Sequence, residues 1–122
     1  MEQNIAKANQ LQERLLSFAA DIVHYTQKLQ VHPSVQNQII RSATSIGANY
    51  AEALNASSKM DFRNKIYIAK KETAETKYWL QLIARLQSQK DNEQLAQECQ
   101  HILMILQKTV NTINDKRKSK GQ

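Results

Sequence analysis

Apolar residues recur along this chain at alternating steps of four and three, the period of one face of an α-helix and not the strict alternation of a half-buried strand. The first stripe is Leu11, Leu15, Phe18, Ile22, Tyr25 and Leu29, and it stops before Pro33, which disfavours helical geometry at His32 but suits a first helical turn. A second runs Val35, Ile39, Ala43, Ile46, Tyr50 and Leu54, up to the break Asn55-Ala-Ser-Ser58. Ser58 with Asp61 resembles a capping box, so a third helix starts there, with the stripe Phe62, Ile66, Ala69, Thr73, Thr76, Leu80 and Ile83. Asp91 with Gln94 opens the fourth, whose stripe is Leu95, Cys99, Ile102, Leu106, Val110 and Ile113. The pattern predicts helices over about 5–31, 34–56, 59–89 and 92–115, with residues 116–122 a flexible basic tail. Four helices joined by short turns reverse at every turn, so the expected fold is all-α: an antiparallel up-down-up-down four-helix bundle forming one domain over 1–115.

Composition narrows the class further. With 122 residues the chain supports one hydrophobic core, and 2 Gly with 1 Pro leave too few turn residues for a β-sandwich or barrel. The lone Cys99 excludes an intrachain disulfide and a cysteine zinc site. The first residues lack the basic then apolar pattern of a secretion signal, and no run approaches the roughly 18 apolar residues of a membrane span. The expectation is a soluble, cytoplasmic protein with no membrane partner.

Charge changes the picture more. Lys and Arg number 17 against 11 Asp and Glu, a net charge of +6, the sign that suits a phosphate-bearing partner. At about 100° per residue, Lys59, Arg63, Lys70, Lys71, Lys77 and Arg85 fall within about 120° of helix three, interleaved with Tyr67, Tyr78 and Gln81 and with no acid among them. Such a row suits phosphates along a strand or duplex, with Lys116, Arg117, Lys118 and Lys120 of the tail adding contacts. A merely solvated outer face is the competing reading, although opposite charges would normally be interspersed there.

Two other faces stand out. Ile68, Trp79, Leu82 and Leu86 make a second apolar face on helix three, pointing to a homo-oligomer contact or to a cap over the bundle's own core. On helix two, Gly47 lies in a stripe of small residues with Ala43 and Ala51, where a neighbouring helix, of the same bundle or of a second copy, can approach closely. Beside it Arg41, Ser45, Asn49 and Glu52 form a polar stripe, and with Glu72 and Glu75 of helix three they predict a structural polar cluster in which Arg41 neutralises a buried carboxylate.

Catalytic chemistry finds little support. Glu72 and Glu75 share the i, i+3 spacing of di-iron bundles but have no histidine beside them, and His24, His32 and His101 are scattered. No phosphate-cradling glycine loop, nucleophile elbow or thiolate pair is present in the sequence. The expectation is a protein without enzymatic activity, cofactor or metal.

The segment Gln38-Ile-Ile-Arg41-Ser-Ala-Thr-Ser45-Ile-Gly-Ala-Asn49-Tyr-Ala-Glu52-Ala53 closely resembles the signature of the four-helix-bundle proteins encoded in intervening sequences of bacterial 23S ribosomal RNA genes, historically labelled S23. Phe62, Ile68-Ala69, Lys71-Glu72-x-x-Glu75-Thr76 and Tyr78-Trp79-Leu80 resemble its helix-three pattern, so the likeness spans roughly residues 15–86. It implies an antiparallel bundle assembled as a ring, a homopentamer, and supplies no reaction. Tyr78-Trp79-Leu80 and the basic C-terminus are also similar to the accessory variability protein of diversity-generating retroelements, which implies nucleic acid and a reverse transcriptase as partners. Gly47 and Ala53 depart from the Pro and Gly that many relatives carry at those positions, implying a less kinked helix two. Together these readings favour a sequence-nonspecific RNA or RNA/DNA binder over a protein-interaction or structural ring.

Overall fold

The computed structural model describes residues 2–87 and 90–121, with side chains placed through Lys116. Four helices follow one another: α1 (Glu2–Thr26), α2 (Pro33–Leu54), α3 (Lys59–Leu86) and α4 (Asn92–Gly121). Each packs on its sequence neighbour, and α1 closes against α4 along a lighter seam. Among the described residues no close backbone approach links α1 with α3 or α2 with α4. Contacts across the seams run in opposite chain directions, Glu52 to Lys65 and Ser42 to Thr76 between α2 and α3, Tyr67 to Asn114 and Thr73 to Cys99 between α3 and α4. The bundle is therefore antiparallel, up-down-up-down.

The helix ends follow from local chemistry. Pro33 is the first residue of α2, and His32 caps it, its Nδ1 accepting from the Ser34 N–H at 3.0 Å. Ser58 caps α3, its Oγ accepting from the Asp61 N–H at 3.0 Å, while Asp61 reaches back to the Ser57 N–H. Several predicted ends move, most of all the ends of helices one and four. Helix one closes at Thr26, where Lys28 and Leu29 donate back to the carbonyls of Tyr25 and Thr26 in a tight turn. Helix four does not end at residue 115: its backbone stays helical through Gly121, because losing an apolar stripe removes packing but not helix propensity, and cations suit the negative end of a helix dipole. Helix three also closes before the predicted 89, at Leu86: Gln87 turns to extended backbone and its N–H donates to the Ile83 carbonyl at 2.8 Å, while residues 88 and 89 themselves lie outside the described residues.

The stripes converge on one core. Leu15, Phe18, Ile22, Ile39, Ile46, Ile66, Leu80, Ile83, Ile102 and Leu106 are fully buried in it. Leu54 is the exception, 37% exposed while Ala53 is 2% exposed. A step of three and a step of four from Tyr50 land on opposite sides of the stripe's axis, and the packing chooses the smaller residue. Gly47 packs against α1: a β-carbon built on it would lie 3.4 Å from Leu15 Cβ, at the near limit of ordinary contact. At Gly47 the small-residue stripe faces Leu15 of α1.

Polar groups inside the core are paired. Thr76 Oγ1 lies 2.8 Å from both Ser42 Oγ and the Glu72 carbonyl oxygen. Asn92, at the first turn of α4, donates to Tyr25 Oη at 2.8 Å and to the Leu80 carbonyl at 3.1 Å, tying the end of α1 and the last turns of α3 to the start of α4. Cys99 is sealed in the core with its thiol against the Thr73 carbonyl at 3.4 Å, and burial pushes that thiol up to about 12. A thiol so placed stays protonated and unreactive.

Candidate nucleic-acid interface

Helix α3 sorts its charges between two flanks. Towards α2 the ions are paired: Lys65 Nζ lies 3.0 Å from Glu52, and Arg41 binds both Glu72, at 3.0 Å, and Glu75. Trp79 Nε1–H donates to the same Glu75 carboxylate at 3.0 Å, and this bond, seconded by Arg41, holds Glu75 below the usual carboxylate range. The predicted six-residue cluster is therefore three smaller groups. Arg41, Glu72 and Glu75 form one, Glu52 leaves it for Lys65, and Asn49 donates to Ser45 Oγ and the Ser45 carbonyl one turn back in its own helix. The carboxylates are not deeply buried either. Arg41 is 48% exposed, Glu75 37% and Glu72 18%, because the group sits where the α2–α3 seam opens to solvent.

Towards α4 the pattern is the opposite. Tyr67 Oη donates to Asn114 Oδ1 at 3.2 Å, placing this flank on the α3–α4 seam, and the Arg63 guanidinium lies 5.0 Å from the centre of the Tyr67 ring. The Tyr67 phenol is lowered by its side-chain bonds to Asn114 and Arg63 and, beyond those, by the positive charges of Arg63 and Lys70. Lys77 acts on the same seam from further along, weakly opposing the burial that raises Cys99. Among the described residues none of Lys59, Arg63, Lys70, Lys71, Lys77, Arg85 and Lys116 has a carboxylate within ion-pair distance. They do not all stand free in solvent. Lys59, Lys71, Arg85 and Lys116 are exposed, whereas Arg63, Lys70 and Lys77 lie half-buried along the seam, with Arg63 Nε buried and without a hydrogen-bond partner. The tail cations Arg117, Lys118 and Lys120 have side chains outside the described residues.

The second apolar face is also present. Ile68 and Leu86 are exposed, Leu82 and Trp79 are half-buried, and Tyr78 meets Trp79 edge to face with ring centres 5.0 Å apart. Trp79 packs on the outside of the core and is anchored beside the ion group by its indole N–H, which donates to Glu75.

Residues 7–108 match the family model of the 23S rRNA-intervening sequence protein. The chain belongs to this family. It is also similar to a solved structure, a protein of unknown function from the S23 ribosomal protein family of Bacteroides thetaiotaomicron, with 36% sequence identity and a TM-score of 0.76 over 81% of this chain and 96% of that one. No curated protein matches the chain. As a member of the 23S rRNA-intervening sequence family, the protein places the signature stripe of α2 partly on the paired flank, at Arg41 and Glu52, and partly against α1, at Gly47.

Two features escape a reading of the sequence. Arg14 of α1 grips Glu98 of α4 through two nitrogens at 2.6 and 2.8 Å, which holds the Glu98 carboxyl low and closes the light seam between these helices. A groove of about 690 Å³ lies where the α2–α3 turn meets the end of α4, lined by Ala53, Ala56, Met60, Phe62 and Ile113 with Lys59, Arg63 and Lys116. Its one signal in the sequence is Met60, a large apolar residue among cations in a first helical turn, which the structure leaves exposed. Among the described residues no group of three His, Cys, Asp or Glu side chains is placed to hold a metal, and no helix is long and apolar enough to cross a membrane.

Proposed function

We propose that this protein is a non-enzymatic, oligomeric nucleic-acid-binding bundle that holds RNA or an RNA/DNA hybrid by charge along the α4 flank of α3. One observation carries the reading: Arg63, Lys70 and Lys77 line a seam where no carboxylate among the described residues pairs with them, beside a flank on which Glu52, Glu72 and Glu75 are all paired. Unpaired cations held half-buried on a rigid helix repel one another, and a row of phosphates relieves that repulsion by displacing counterions. No base-reading element accompanies them, so binding follows charge and not sequence. A second copy of this chain packs on the outward face of Ile68, Leu82 and Leu86, which water would otherwise cover at a cost. A ring of copies, the pentamer that the family likeness implies, would multiply the positive field.

Titrating a structured RNA against the protein at rising salt tests the first part, the expected result being a straight, steep fall of log affinity with log salt. Absence of binding at low salt overturns it. Light scattering after size exclusion tests the second, since an oligomer gives a mass several times 14.0 kDa. The exposed apolar face supports a second reading, a structural or protein-recruiting ring that needs no phosphate contact, and an oligomer that binds no RNA would favour it.

A further inference from the structure

Several features of the molecule are already engaged. The recess between α1 and α4 commits Glu98 to Arg14 and Asp91 to Lys28, and Cys99 is sealed in the core. The groove beside the α2–α3 turn is different. Its floor is apolar, Ala53, Ala56, Met60, Phe62 and Ile113, and its three cations, Lys59, Arg63 and Lys116, have no carboxylate partner among the described residues. Met60 in that apolar lining is 62% exposed.

Those properties define the occupant. A volume of about 690 Å³ falls within the roughly 300–1,000 Å³ of sites that take small organic groups. The apolar floor calls for a flat, weakly hydrated group, and the cationic rim calls for an anion attached to it. A nucleotide joins the two, a base to a phosphate. Position makes the same case, because Arg63 belongs both to the groove and to the positive flank. A backbone following Lys77, Lys70 and Arg63 thus arrives at the rim. In a duplex each base is already stacked on its neighbours, whereas a single strand can turn one base onto apolar side chains.

We infer that this groove seats one unpaired nucleotide of a bound single strand, its base on Met60, Phe62 and Ile113 and its phosphate among Lys59, Arg63 and Lys116. The inference rests on the nucleic-acid reading above and adds a preference that charge alone does not create.

The test compares three probes of equal length by fluorescence anisotropy at one salt concentration: a single-stranded RNA, a blunt duplex, and an abasic strand that keeps the phosphates but lacks bases. The single strand is expected to bind at least about 5-fold more tightly than the abasic strand. Met60→Ser keeps the charge and touches only an exposed side chain, so it should shrink that ratio towards one without weakening the abasic strand. Phe62→Leu, with a folded melting curve, should act in the same direction. Equal binding of single and abasic strands by the wild type, or a ratio unchanged in Met60→Ser, overturns the groove while leaving the charged flank intact. No binding of any probe at low salt overturns the nucleic-acid reading itself, and the groove with it.

Discussion

The two flanks of α3 both carry ionisable groups but use them differently. On the α2 side Lys65, Glu72 and Glu75 all meet opposite charges, and just beneath them Ser42 and Thr76 close a buried hydroxyl pair. On the α4 side Arg63, Lys70 and Lys77 meet none among the described residues, and the polar contact there is a tyrosine on an asparagine. Neutralised charges contribute modestly to holding two helices together, while uncompensated ones raise the local potential and leave their interaction energy for a partner. The contrast teaches that a charged helix face is informative about binding only after its partners on the neighbouring helices are known.

The contrast breaks most visibly in binding. Replacing Arg63, Lys70 and Lys77 together by Gln should lower RNA affinity about 100-fold at low salt and flatten the slope of log affinity against log salt by about 2, given roughly 0.7 for each single-strand phosphate no longer neutralised. The same titration of Arg41→Gln should match wild type. Equal losses in both variants would mean that the flanks do not differ in function.

Stability should show the reverse asymmetry. Thr76→Val keeps the volume but leaves Ser42 without its partner in a fully buried site, so chemical denaturation should reveal a loss of about 1–3 kcal/mol. A neutral result would mean that Ser42 is satisfied by the Ile39 carbonyl at 3.3 Å alone.

Arg41→Ala sharpens the comparison at a smaller scale. A buried ion group would cost about 3 kcal/mol or more on losing its cation, but Arg41 is 48% exposed, so the expected loss is about 1 kcal/mol or less. A melting shift equivalent to the larger figure would show the seam to be drier than its exposure indicates.

Acid should separate the flanks most gently. Glu75 is lowered from the ordinary 4.5, so the unfolded chain takes up its proton more readily than the folded one. Its charge therefore stabilises the fold above pH 4.5, and that contribution fades as pH falls through the lowered folded value. Melting temperatures recorded downward from pH 6 should fall less steeply in Glu75→Gln than in wild type. Lys70→Gln, on the other flank, should leave the slope unchanged.

How much of this is legible in the sequence depends on the range of the interaction involved. The four stripes name the core almost residue by residue, and Ser58 is recognisable as a cap from its spacing to Asp61. His32 is not, because histidine seldom caps a helix and only its approach to the Ser34 N–H reveals it. Arg41 and the two glutamates can be matched by sign, yet Glu52 and Asn49 go elsewhere, one to Lys65 across the seam and one to its own helix. Matching by sign carries no information about the height at which two helices cross. The groove is similarly hidden, since Met60 and Ile113 lie far apart in the chain and meet only when α4 returns beside the start of α3.

Periodicity, caps and breakers act over a few residues of one chain segment, and so the sequence by itself determined the number of helices, their buried faces and their antiparallel order. Which helix supplies a partner to each charge is decided by the register between helices, and that register comes from packing, as where Leu15 settles against Gly47. The wheel shows an arc without acids, but only the tertiary structure decided which charges are paired, giving Glu52 to Lys65 and both Glu72 and Glu75 to Arg41. The six cations look alike on a helical wheel because a wheel has no neighbours. In the bundle, α2 brings Arg41 and Glu52 to the ions on one side of α3, and α4 brings Asn114 and Ile113 to the other, with no carboxylate among the described residues to pair with its cations.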